Sequence, residues 1–138
     1  MTATPHALDL TAAAAGAAAD KLARDIVAFD VSDQLVITDV FLICSAANDR
    51  QVRAVVDAVQ ERLLDLGAKP VRREGEREAR WVLLDFGDIV VHVQHQEERA
   101  YYALERIWRD CPVVRVPDAL PVSAAGNGGT VSTDSRQQ

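Results

Sequence analysis

Two periods of apolar positions alternate along the chain. From Leu8 the residues Leu8, Ala12, Ala15, Ala19 and Leu22 recur at spacings of three and four, which predicts a first helix with one small buried face. From Asp25 the period drops to two: Ile26, Ala28 and Asp30 alternate with Val27, Phe29 and Val31, which predicts a strand before the turn residues Ser32-Asp33. Thr38 to Ser45, TDVFLICS, predicts a second, central strand. A helix follows from Asn48, with Gln51 three residues on in a capping-box arrangement. Val52, Val55, Val56, Val59 and Leu63 form its buried stripe, and Gly67 ends it. Pro70 to Glu74 extends as another strand. Glu97 and Glu98 then open a helix that carries Tyr101, Leu104 and Trp108 on one face and Tyr102, Glu105 and Arg109 on another, up to Pro112. Val113 to Val116 supplies a short edge strand or packs as an extended arm.

The chain is organised around Trp81 to His95, WVLLDFGDIVVHVQH, which reads as a β-hairpin broken at Asp85-Phe86-Gly87-Asp88. With an even loop whose cross-strand partners sum to 173, Trp81 faces His92 and Leu84 faces Ile89. Val82, Leu84, Ile89, Val91 and Val93 then make an aliphatic core face. The other face mixes Trp81, Leu83, Asp85, Asp88, Val90 and His92, so Asp85 and Asp88 share it with the indole.

At 138 residues the chain has the size of a single domain with a proper core. The expected organisation is a flexible segment 1–7, a domain over 8–116, and a disordered tail over 117–138 that is rich in Gly, Ser and Thr. A net charge of −6 opposes direct binding to nucleic-acid phosphates or anionic membranes and favours a basic partner. Cys44 and Cys111 have no zinc or redox spacing and read as two reduced thiols of a cytosolic protein. The alanine-rich start lacks the basic and strongly apolar regions of a leader, so a cytoplasmic location is expected.

Candidate chemistry narrows quickly. Asp85-Phe86-Gly87 has no glycine-rich phosphate loop or catalytic-loop signature beside it, which argues against a kinase magnesium loop. His92 and His95 are an odd number of residues apart, so a strand puts them on opposite faces. Asp85 and Asp88 are better read as turn formers than as metal ligands, and no serine or cysteine has a recognisable base. The residues alone describe a binding module with no catalytic, metal or cofactor site.

Taken together, TDVFLICSA at 38–46, DRQVRAVVD at 49–57, EG at 74–75, WVLLDFGDIVVHV at 81–93 and R-x-x-Y-x-L-E-x-x-W from Arg99 to Trp108 strongly resemble the bacterial ribosomal silencing factor of the Iojap-like family. The resemblance runs from about Leu8 to Cys111. It implies an α/β fold, a small mixed β-sheet flanked by helices, nucleotidyltransferase-like in shape but without the catalytic site. It also implies a translational repressor that binds large-subunit ribosomal protein L fourteen, blocks joining of the small subunit when nutrients are scarce, and is often a homodimer. The matching positions are Asp39, Glu74, Gly75, Trp81, Asp85, Gly87, Asp88, His92, Arg99, Tyr102, Glu105 and Trp108. Of these, Trp108 is expected in the core, Gly87 in the turn, and Asp39 as a cap or paired with backbone. Glu74, Trp81, Asp85, Asp88, Tyr102 and Glu105 are the expected partner-binding residues, an aromatic anchor ringed by carboxylates. Ala46 and Gln94 depart from the family pattern, and Gln94 is expected to make the Trp81 face more polar. The competing reading is a metal-dependent nucleotide-processing enzyme using Asp85 and Asp88.

Overall fold

A computed structural model describes residues 2–116; the side chain of Tyr102 lies outside that description, as does the expected tail 117–138. In chain order the elements are α1 (Pro5–Asp20), β1 (Arg24–Asp30), β2 (Val40–Ala46), α2 (Asp49–Asp65), β3 (Arg72–Glu74), β4 (Trp81–Asp85), β5 (Ile89–His95), α3 (Gln96–Tyr102), a 3₁₀ turn (Leu104–Arg106) and β6 (Val113–Val114). The strands form one sheet in the order β3-β4-β5-β2-β1-β6. Only β2 and β5 run parallel, joined across the sheet by a crossover that contains α2. The expected mixed sheet with helices is therefore the observed architecture.

α1 starts within the segment expected to fray. Thr4 Oγ1 accepts the Ala7 N–H, Pro5 stands in the first turn, and the N–H groups of Ala3 and Thr4 donate to the carboxylates of Asp30 and Asp39. Its buried set also differs from the predicted stripe. Leu10, Ala14, Ala17 and Ala18 are buried, while Leu8 and Leu22 are exposed. A run of alanines is apolar all round, so spacing alone cannot fix which face turns inward. The small side chains let α1 lie against both α2 and the sheet.

α2 matches its prediction in stripe and cap. Val52, Val55, Val56, Val59 and Leu63 are its buried residues, and Asn48 Oδ1 accepts the Gln51 N–H at 2.9 Å. Gln51 reaches back to the N–H of Ala47, one residue beyond the usual capping-box target, and its amide donates to the carbonyls of Lys21 and Leu22. One side chain thereby closes the start of α2 and ties it to the chain leaving α1.

The helices α1 and α2 cover the sheet face made by Val82, Leu84, Ile89, Val91 and Val93. This is the aliphatic face the hairpin pattern predicts. On the opposite face Phe29, Val31 and Ile43 form a smaller core with Leu35, Phe41, Leu104 and Trp108. Trp108 packs edge-on against Phe41 with ring centroids 5.0 Å apart, as a core residue.

Candidate functional site

The hairpin is real, but its register is shifted. Trp81 pairs with Gln94, Leu83 with His92, and Leu84 with Val91, so partners sum to 175 instead of 173. The Phe86 N–H donates to the Ile89 carbonyl, which closes a two-residue turn on Gly87 and Asp88, and Gly87 takes φ +87°. Asp85 Oδ1 receives the Gly87 N–H at 2.8 Å, so the carboxylate stabilises the turn. A shift of two in the sum preserves parity, which is why the face assignment survived the wrong partners for the residues of the two strands.

Burial corrects a further expectation. β5 is buried along its whole length, because β2 and β4 flank it and α3 with the 3₁₀ turn lies over the second sheet face. His92 is only 4% exposed and Gln94 is fully buried, so Gln94 does not enrich the surface in polar groups. Both atoms of its amide lack a hydrogen-bond partner among the described residues, as does His92 Nε2. The central position of β5, unknowable from alternation within the hairpin, removes these residues from solvent.

Trp81, at the start of β4, is half-buried. Its indole Nε1 donates to His92 Nδ1 at 3.2 Å, and His92 also meets the Phe41 ring at a centroid distance of 5.1 Å. Burial lowers the His92 pKa to about 4, so the imidazole is neutral near pH 7. A neutral imidazole accepting at Nδ1 carries its proton on Nε2. His92 thus orients the indole from below; it was missed as a positioning group because its sheet face was expected to be open to solvent, whereas β5 is a covered central strand.

Along β3 and β4 the same face is open. Arg72 pairs with Asp85 and Glu74 with Leu83, so Arg72, Glu74, Trp81, Leu83 and Asp85 share one side of the sheet edge. Arg72 Nε lies 3.3 Å from Glu74, and its Nη2 lies 3.9 Å from Asp85. Next to Trp81, Arg80 bridges to Glu97 and Glu98 at 2.9 and 3.1 Å, fastening the first turn of α3 to β4. Those bonds raise the Arg80 pKa, chiefly through Glu97, and lower that of Glu97. Counting Glu74, Asp85, Glu97 and Glu98 against Arg72 and Arg80 leaves the rim of Trp81 acidic. Gly75, at φ +83°, lets the 75–80 loop press onto the Trp81 carbonyl.

The expected partner-binding residues therefore divide. Glu74, Trp81 and Asp85 come together. Asp88 does not join them: it is a turn residue whose carboxylate lies 3.6 Å from His6 of α1, on the helix-covered side, so the two aspartates do not share a face with the indole. Tyr102 ends α3. Glu105 bonds Arg99 Nε at 3.0 and 3.1 Å, and Arg99 in turn donates to the Asp25 carbonyl of β1. Since β5 and β2 separate β4 from β1, Glu105 belongs roughly 14 Å from Trp81, three strand spacings away.

The predicted continuous helix from Glu97 to Pro112 is also corrected. Ala103 adopts the left-handed conformation (φ 46°, ψ 51°), which stops α3 and restarts the chain in the 3₁₀ turn. Tyr101 is 81% exposed as a result, while Leu104 and Trp108 pack inward. Among the described residues no group of three or more His, Cys, Asp or Glu side chains is arranged to hold a metal ion. No helix of the described residues is long and apolar enough to cross a membrane.

Known proteins share this sequence pattern and fold. A family model described as "Ribosomal silencing factor during starvation" matches residues 4–138. The chain is 45% identical over 100 residues to the ribosomal silencing factor of Bacillus subtilis, covering 72% of this chain and 85% of that one. It is 42% identical over 112 residues to the Halalkalibacterium halodurans protein of the same name, covering 81% and 96%. A crystal structure of a Chromobacterium violaceum protein superposes with a TM-score of 0.71 at 33% identity, covering 73% of this chain and 84% of that chain. One from Bacillus halodurans gives 0.69 at 39%, covering 82% and 100%. The maize protein Iojap, chloroplastic, is 30% identical over 113 residues, 80% of this chain but 48% of that one. With the family model spanning nearly the whole sequence and relatives matched over most of their own length, the chain belongs to the ribosomal silencing factor family.

Proposed function

We propose that this protein is a non-enzymatic, cytoplasmic translational repressor. It binds the large ribosomal subunit through ribosomal protein L fourteen and sterically prevents the small subunit from joining. The observation that carries this reading is the open β3-β4 face: a half-buried Trp81 held by His92, bordered by Glu74 and Asp85, on a part of the sheet that α3 leaves uncovered. An aromatic anchor surrounded by carboxylates suits a basic protein partner, and the net charge of −6 speeds encounter with one while disfavouring bare RNA. Asp85 shapes the turn as well as the rim, so Trp81 and Glu74 carry the larger share of contact. Asp88, Tyr102 and Glu105 are contacts only if the partner extends beyond this face.

Purified protein is expected to co-sediment with large subunits and to inhibit their reassociation with small ones. Trp81→Ala, at a half-buried position at the start of β4, is expected to lose both effects while retaining the wild-type circular dichroism spectrum. Subunit joining that proceeds unaltered at saturating wild-type protein refutes the proposal. An unfolded Trp81→Ala variant refutes the assignment of Trp81 to the surface.

A further inference from the structure

At the other end of the same sheet face the chain builds a second, differently charged surface. Phe29 of β1 and Val113 of β6 are register partners, and Val27 lies two residues from Phe29, so all three side chains face the same way. Beyond the left-handed turn at Ala103, the 3₁₀ turn brings Glu105, Arg106 and Arg109 over these apolar residues, and Arg99 reaches in from α3. Together they line a groove of about 320 Å³, at the small end for ligand sites: room for one large side chain and its neighbour, not for a cofactor.

Charge in this groove runs against that of the whole protein. Three guanidinium groups meet one carboxylate, and Glu105 is already engaged by Arg99 Nε. Arg99 is 6% exposed; its Nη2 donates to the Asp25 carbonyl, but its Nη1 has no hydrogen-bond partner among the described residues. A buried guanidinium edge without an acceptor is costly, and a carboxylate is the acceptor whose geometry fits it. Arg106 and Arg109 make no ion pair among the described residues. Val113 is 67% exposed although it lies on this apolar floor.

We propose that the groove is a second docking site, separate from the Trp81 surface, for an acidic peptide segment of a partner protein. The segment sets a large apolar side chain on Val27, Phe29 and Val113 and an adjacent carboxylate against Arg99, Arg106 and Arg109. A peptide fits better than a nucleic acid: the floor is aliphatic and aromatic, and the net charge of −6 repels a polyanion far more than one or two carboxylates. The two ends of this sheet face then select partners of opposite charge.

The test uses the full-length, ¹⁵N-labelled protein titrated with the peptide acetyl-Asp-Asp-Leu-Phe-Asp-amide and its Asn-for-Asp counterpart. The acidic peptide is expected to shift the amides of residues 27–29, 105–109 and 113 saturably. The Asn peptide, or the double variant Arg106→Gln with Arg109→Gln, is expected to weaken binding about tenfold or more, equivalent to about 1.4 kcal/mol. Trp81→Ala is expected to leave this titration unchanged, so failure of the ribosomal reading and failure of this one are separable. The proposal is overturned by absence of a saturable shift at millimolar peptide or by equal binding of the Asn peptide. A uridine oligonucleotide that shifts the same amides more tightly also overturns it, and reassigns the groove to RNA.

Discussion

Gly75 offers the sharpest test of how the loop before β4 sets the Trp81 surface. Its φ is +83°, and a Cβ there would sit far closer to the Trp81 carbonyl oxygen than van der Waals contact allows, and 3.0 Å from the carbonyl carbon. Gly67, at φ +82°, would place a Cβ in open space. The two alanine substitutions therefore share the left-handed backbone penalty of about 1 kcal/mol and differ in everything else. At Gly75 the backbone of β4 or of the loop must move, and forcing an extra methyl into a packed site adds about 2 kcal/mol, for a total of about 3 kcal/mol. For a domain of slightly more than 100 residues this corresponds to a drop in Tm of roughly 12 °C, against roughly 4 °C for Gly67→Ala. Thermal unfolding by circular dichroism reads the difference. The indole N–H resonance of Trp81 gives a second readout, expected to shift in Gly75→Ala and to hold in Gly67→Ala. Equal Tm losses for the two variants would refute the close-approach reasoning, because the backbone penalty alone would then explain both.

The remaining predictions follow from the buried side chains. His92 stays neutral in the fold down to about pH 4 but gains a proton below about pH 6.5 when unfolded, so the unfolded state binds more protons across that window. Stability is accordingly expected to fall as pH drops from about 6.5 to about 4, by about 3 kcal/mol for this group. Urea unfolding at a series of pH values should show that component missing in His92→Gln; identical pH profiles for the two proteins would contradict it. Cys44 is fully buried and its thiol is pushed up to about 12, whereas Cys111 is partly accessible. Titration with a thiol-reactive disulfide is expected to modify Cys111 alone in the native protein and both cysteines in denaturant, and rapid native labelling of Cys44 would contradict its burial.

Legibility in the sequence followed the contrast between side chains. α2 alternates valines and leucines with charges, and its stripe, cap and stop were all readable. α1 is mostly alanine, and its inward face was not, because burial there is decided by what packs on it and not by its own pattern. The hairpin's two faces were readable because they depend only on parity. Its partners were not, because they depend on whether Gly87-Asp88 or a longer segment makes the turn. The candidate site inherits this division. Trp81 and Asp85 were found together from alternation, and Glu74 only through the family resemblance, whereas the depth of His92 and Gln94 depends on strand order, which brings β2 alongside β5 through a crossover no local pattern reports. The bulge at Asp25, with φ 52° and a register shift before Val27, was equally silent in the sequence, yet it carries the carbonyl that Arg99 binds.

The break at Ala103 explains why one sheet face carries three environments. Had the helix continued from Glu97 to Trp108, it would have run about 18 Å in a straight line at 1.5 Å per residue, holding Tyr101, Leu104 and Trp108 in one stripe. The left-handed residue instead ends α3 after seven residues and redirects the chain. α3 then roofs chiefly β5 and β2, which buries His92 and Gln94, leaves β3 and β4 open with Trp81 at their border, and sends Glu105, Arg106 and Arg109 over β1 and β6. An αL alanine costs about 1 kcal/mol relative to glycine. The pairs Arg80 to Glu97 and Glu98, and Arg99 to Glu105, hold the chain on either side of it. The acidic aromatic edge and the arginine groove are thus separate surfaces because of a single backbone turn, and it is the turn, not the charges alone, that keeps them apart.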